Sequence, residues 1–301
     1  MLAALVASLG LLPAAAGCDK LQDLASSKKA KADDDDKDGK DEDDARARRK
    51  GEEPGADLPD GRFVFKYEPS TKPGLKPYDA LFADSRFGGV VEAMEVFALP
   101  RNVPLSTADI GPCGAPNAFY MPDKHVIFLC YPLAAVAYEN FVAMGKSDKE
   151  ASNLTRDALT FVMLHEMGHA LIGELGLGVT GKEEDAVDEL ATLILIQNGK
   201  HDMAIAGTYA LVLLHQFQDK GKPTPFFDEH SVSEARLYDV FCMILGSDPK
   251  RFSEEILRER PELKRRAPKC PGTYQKIDKA WTELLSPHMR KSGSKKKTSD
   301  D

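Results

Sequence analysis

His165-Glu166-Met167-Gly168-His169 is the segment of this 301-residue chain with the most definite chemical content. Histidines four apart on a helix lie about 40° apart around its axis, so both imidazoles can reach one ion from one face. The glutamate after the first histidine sits beside the pair, where a carboxylate can take a proton from a water that a metal has acidified. The chemistry this predicts is hydrolysis. Two core histidines bonded to carbonyls would be the structural alternative.

A catalytic zinc usually takes three protein ligands and leaves its fourth position open. Fifteen residues after His169 comes Glu184-Asp185-Ala186-Val187-Asp188. Glu184 is the expected third ligand. Asp188, one helical turn on, is expected to accept the second ring N–H of a ligating histidine and so fix its tautomer. Asp185 and Glu189 share that spacing, which leaves Asp185 as the alternative ligand. Glu183, Glu184 and Asp185 also read as an ordinary acidic first turn complementing the helix dipole.

The elements that must position these groups follow from periodicity. Ala151, Leu154, Ala158, Phe161, His165, His169 and Ile172 recur at helical spacing and predict a helix with one apolar stripe, the histidines pointing inward. Glycines at 173, 176, 178 and 181 break the pattern. Thr180-x-x-Glu183 then reads as a capping box opening a second helix. Further helices are expected over Ala204–Gln218, Ser231–Leu245, Phe252–Arg258 and Thr273–Leu285. Arg62–Glu68 and Val126–Cys130 read as strands, with turn-rich sequence between them. Strands first and helices after residue 147 predict an α+β fold, a small N-terminal sheet packed on the motif helix. In such folds an edge strand commonly holds an extended peptide, and a segment near Ala118–Cys130 is the best candidate. For an electrophile facing the tetrahedral oxyanion, His230 is the first choice, with Arg236 and Tyr238 on the same predicted helix.

HExxH followed by a glutamate and, four residues later, an aspartate resembles the glutamate-zincin peptidases. More closely, the chain resembles a bacterial family of metallopeptidase-like proteins of unknown function. The resemblance rests on Cys113–Tyr120, Leu129-Cys130-Tyr131, the segment HEMGHALIGELGLGVTGKEEDAVDE, Asp228–Ser231, Gly246–Pro249 and Arg266–Cys270. It implies a zincin-like fold, one zinc ion and peptidase activity. Pro132 departs from the family, which carries an acidic residue there. Proline's missing N–H and its effect on its neighbour predict a different local backbone after Cys130.

Composition bounds the rest. Residues 19–60 hold no aromatic residue and fifteen acidic against ten basic side chains, a stretch expected to be a disordered linker. The last fourteen residues, 288–301, form a basic tail of net charge +3. Of the total −8, about −6 falls on residues 61–287, long enough for a sizeable core and too acidic to suggest nucleic acid as a partner. Residues 1–18 read as an export leader, and Gly17-Cys18 resembles the processing site at which a lipoprotein cysteine is lipidated, although no Lys or Arg precedes the apolar run. The expected location is the bacterial cell envelope with a membrane anchor at Cys18, or, alternatively, secretion.

Setting Cys18 aside leaves four cysteines, an even number, as expected for disulfides in an oxidising compartment. Of three possible pairings, Cys113–Cys130 and Cys242–Cys270 are favoured, the first closing a loop of the sheet and the second tying a helix to the C-terminal segment. The functional expectation is a zinc-dependent peptidase acting on proteins or peptides, with Glu166 as base. The alternatives are a catalytically inactive zinc-binding envelope lipoprotein with a binding or assembly role, and a helical structural lipoprotein.

Overall fold

The computed structural model describes residues 58–109, 113, 116–218 and 234–290. The leader with Cys18, the acidic linker up to residue 57, His230 and the basic tail beyond Arg290 therefore lie outside the described residues. Four strands form one sheet: β1 (Phe63–Lys66), β2 (Val103–Ala108), β3 (Ala118–Met121) and β4 (Val126–Cys130), in the order β1-β2-β4-β3. β1 and β2 run parallel, as do β2 and β4, while β3 lies antiparallel on β4 with Ala118 beside Leu129. A parallel pair needs a crossover. Between β1 and β2 it is made by the short helix α1 (Asp79–Phe82) and by α2 (Ser85–Met94), whose Asp84 cap accepts from the Arg86 N–H. The segment read as turn-rich thus holds two α-helices and two strands. Short elements with interrupted apolar patterns leave too weak a periodic signal to separate from loops.

The sheet is followed by α3 (Tyr131–Ala143), α4 (Asp148–Leu175), α5 (Glu183–Gln197), α6 (His201–Gln218), α7 (Glu234–Ser247), α8 (Pro249–Glu259) and α9 (Cys270–Leu285). The observed architecture is the expected α+β one, an N-terminal sheet followed by a mainly helical C-terminal part, although two helices intervene between β1 and β2. α3 is not among the expected helices, which lie beyond residue 147; it has Cys130 as its N-cap and Pro132 in its first turn. Proline is tolerated there because the first N–H groups of a helix have no intrahelical partner.

α4 carries the HExxH motif and is the axis of the molecule. It opens on a capping box between Ser147 and Glu150 and ends at Gly176, whose φ of 61° is the left-handed conformation that favours glycine. Its burial is not confined to one stripe: nearly every residue from Ala158 to Ile172 is buried. The helix is enclosed by α3, α5, α6 and the β3–β4 hairpin, so apolar residues are needed all around it. Both favoured disulfides are present. Cys113–Cys130 ties the approach to β3 to the end of β4, and Cys242–Cys270 ties α7 to the start of α9.

Candidate metal centre

His165 and His169 project from the middle of α4, one turn apart, with ring centroids 4.9 Å apart and Nε2 atoms separated by 3.3 Å. α5 crosses α4 here, and Gly168 permits the close approach. A Cβ at that position would meet the Val187 side chain at 3.0 Å. The crossing brings Glu184 to both rings, its carboxylate 3.4 Å from His165 Nε2 and 3.2 Å from His169 Nε2. The three donors lie within 4.8 Å of one another. Among the described residues they form the only group of three or more His, Cys, Asp or Glu side chains so placed. Asp185, the alternative ligand, is not in it.

Each ring's other nitrogen meets a carboxylate. His165 Nδ1 lies 2.8 Å from Asp188 Oδ1, as the spacing predicts. His169 Nδ1 lies 2.7 Å from Glu183 Oε1. Glu183 was expected in a capping box, and the structure corrects that expectation. α5 begins at Glu183 itself, after Lys182 as an N-cap without a side-chain hydrogen bond, so the glutamate stands at the first helical position rather than the third. From there it cannot reach back to cap the helix, and it reaches the histidine instead. The HExxH motif announced a second imidazole needing such a partner, but a charged first turn hid which residue would supply it.

With both Nδ1 atoms donating to carboxylates, the two Nε2 atoms face each other and the Glu184 carboxylate as acceptors. Acceptors converging on one point require a cation. In the metal-free chain a proton serves: burial opposes charge on His165, but the hydrogen bonds and charges of Asp188 and Glu184, with the charge of Glu166, outweigh it and push its pKa up to about 10. Two imidazole nitrogens and a carboxylate are also a suitable donor set for a divalent metal, which displaces that proton on binding.

Arg236, from α7, is the largest surprise. Its side chain is 3% exposed, with Nε 2.6 Å from Asp188 Oδ2 and a terminal nitrogen 3.1 Å from Glu184 Oε2. Burial pushes the Asp188 carboxyl up, but the hydrogen bonds and charges of His165 and Arg236 overcome it and hold the group below the usual carboxylate range. Arg236 was one candidate for meeting an oxyanion. Its guanidinium instead braces the ligand carboxylate and the carboxylate behind His165. Tyr238, the other candidate, is directed to Glu262 at 3.1 Å. His230 lies outside the described residues.

Glu166 is 2% exposed, and its Oε2 accepts the Tyr120 N–H at 2.9 Å. The N–H therefore points away from β4, and β3 is the edge strand beside Glu166. β3 lies within the segment near Ala118–Cys130 expected to supply an edge strand, whereas β4 in the same segment is interior.

A motif helix in an α+β domain, crossed by a second helix that adds a carboxylate to two histidines, defines a candidate metal-dependent hydrolase site. The chain belongs to the DUF4344 family, described as "Putative metallopeptidase", which it matches over residues 67–285. No match was found among the curated proteins or the solved structures.

Proposed function

We propose that the protein is a zinc-dependent peptidase of the bacterial cell envelope, with His165, His169 and Glu184 as zinc ligands and Glu166 as general base. The observation that carries this reading is the position of Glu166, next in the chain to a ligand and pinned by a main-chain N–H of the edge strand. A site kept only for structure needs ligands and has no use for a carboxylate fixed beside them. Zinc bound there supplies Lewis acidity, lowering the pKa of a water and polarising a carbonyl.

The chain's own groups do the rest. Oε2 of Glu166 is engaged by Tyr120, so Oε1 is the oxygen that takes the water's proton and later passes it to the leaving amine. The outer edge of β3 orients an extended substrate by main-chain hydrogen bonds, which select for peptide backbone rather than for one side chain. Asp188 and Glu183 hold the imidazoles with their Nε2 atoms toward the ion. The two disulfides support an oxidising compartment, and the leader ending at Cys18 supports a lipid anchor.

The test pairs metal analysis with hydrolysis of a mixed peptide library by wild type and Glu166→Gln. Both proteins are expected to hold one zinc per chain, with cleavage lowered roughly 10²- to 10⁴-fold in the variant. Equal cleavage by the two proteins would remove Glu166 from the reaction.

A further inference from the structure

Five residues beyond His169, the last turn of α4 carries a second buried carboxylate, Glu174, whose side chain is 2% exposed. Its Oε1 accepts the Tyr120 hydroxyl at 2.7 Å and lies 2.6 Å from His125 Nδ1, and its Oε2 is 3.2 Å from Arg101 Nε. Arg101 also meets His125 Nε2 at 2.9 Å. Arginine only donates, so that ring nitrogen is the acceptor and Nδ1 carries the hydrogen given to Glu174.

Glu174 is poorly placed for stability on two counts. Burial opposes its charge, and the C-terminal end of a helix disfavours a negative group. His125 adds a third cost, because with φ at 52° it is the one non-glycine residue of positive φ among the described residues. Such strain persists where the surroundings over-determine it, and here the imidazole is held at both nitrogens. All three costs converge on one short element. β3 has four residues, is paired on one side only and is followed by the turn that contains His125. Its Tyr120 ring lies against Gly173, where an added Cβ would come within 3.4 Å. The same residue gives its N–H to Glu166.

We propose that Glu174 is a positioning residue that clamps the edge strand to the motif helix through Tyr120, His125 and Arg101, and so sets the Tyr120 N–H against Glu166. The clamp places the base and the substrate-binding edge in one frame. Its catalytic consequence rests on the peptidase reading; the clamp itself does not.

The experiment compares wild type, Glu174→Ala, Glu174→Gln and Tyr120→Phe as full-length zinc-loaded chains, by native-state hydrogen exchange and by peptide hydrolysis. In Glu174→Ala, amides of residues 118–126 are expected to exchange roughly tenfold faster or more, while zinc content and exchange in residues 160–172 stay as in wild type. kcat should fall roughly 10- to 100-fold, more than KM changes, because the base loses its orientation. Glu174→Gln, which still accepts from Tyr120 and His125, should fall between, and Tyr120→Phe, which loses only the hydroxyl, should show the mildest loosening. Wild-type exchange at 118–126 in Glu174→Ala, or an equal rise throughout the domain, overturns the clamp. If the wild-type protein cleaves nothing, the peptidase reading fails and exchange alone decides the positioning role.

Discussion

The two ligand histidines are supported in the same way and in opposite surroundings. Asp188 behind His165 has its side chain 3% exposed and is braced by Arg236, whereas the Glu183 side chain behind His169 is 50% exposed. Both carboxylates orient an imidazole. In the buried pair, charge cannot be screened by water, so removing one member strands the others. In the exposed pair, solvent and salt replace much of what the partner supplies. The expectation is that the Asp188 side of the centre governs whether the site exists, and the Glu183 side only adjusts it.

Arg236→Met tests the buried side most severely. It takes from Asp188 and Glu184 one of their two buried cations, leaving the protonated His165 alone between them, and urea unfolding of the metal-free protein should show a loss of about 3–5 kcal/mol. Bound zinc replaces part of the missing positive charge, so the loss should shrink when unfolding is repeated with saturating zinc. A loss of equal size with and without metal would mean that Arg236 serves packing alone.

Next come the two carboxylates themselves, compared by zinc affinity in a chelator competition. Asp188→Ala should weaken binding roughly 10- to 100-fold. Glu183→Ala should weaken it by less than about tenfold, given its exposure. Equal losses would abolish the distinction between the buried and exposed pairs.

Gly168→Ala probes the crossing that delivers both carboxylates. The new methyl meets Val187 at 3.0 Å, and α5 must retreat by a few tenths of an ångström. Overpacking of this kind costs about 1–3 kcal/mol, and zinc affinity should fall with it because Glu184 rides on the same helix. Gly168→Ala with Val187→Ala should recover both, whereas failure of that pair to recover affinity would separate the close approach from ligand placement.

The smallest effect lies beside Asp188, at Glu189. Burial first, then the charges of Asp239, Asp185 and Asp188, push its pKa up to about 7 from an ordinary 4.5. The folded protein therefore holds the proton more tightly than the unfolded chain. The resulting stability is fully present below about pH 4.5 and is lost as pH rises to about 7. Glu189→Gln should gain on wild type across that window, reaching about 1–2 kcal/mol at pH 8 after discounting for partial exposure. A pH-independent difference between variant and wild type in thermal melts would show that the glutamate is not the titrating group.

Much of the centre is legible in the sequence. The histidine pair follows from the four-residue helical repeat, which is local geometry, and zinc-ligand chemistry favours Glu184 with Asp188; the same repeat also fits Asp185 with Glu189, and only the crossing of the two helices selects Glu184. The segment near Ala118–Cys130 does contain an edge strand, β3, and both favoured cysteine pairs are bridged. Glu183 was legible only as part of an acidic first turn, because its role depends on where α5 starts, a matter of a few residues at a helix end, where sequence signals are weakest. The sheet order was not legible. β2 and β3 are short and interrupted, and parallel pairing across a crossover has no local signature.

By itself, the sequence determined an α+β chain with acidic and basic flanks, a two-histidine helix face, a carboxylate pair in register with it and an even set of four cysteines for two bridges. Tertiary structure alone decided that Arg236, 48 residues from Asp188, closes the buried ion network. It also decided that Tyr120, 46 residues from Glu166, aims an edge-strand N–H at the proposed base while Glu174 secures it. The physical reason is the range of the forces that set each feature. Helical periodicity follows from backbone hydrogen bonds four residues apart, but a buried arginine or a clamped strand finds its partner only after packing has brought distant segments together and excluded water between them.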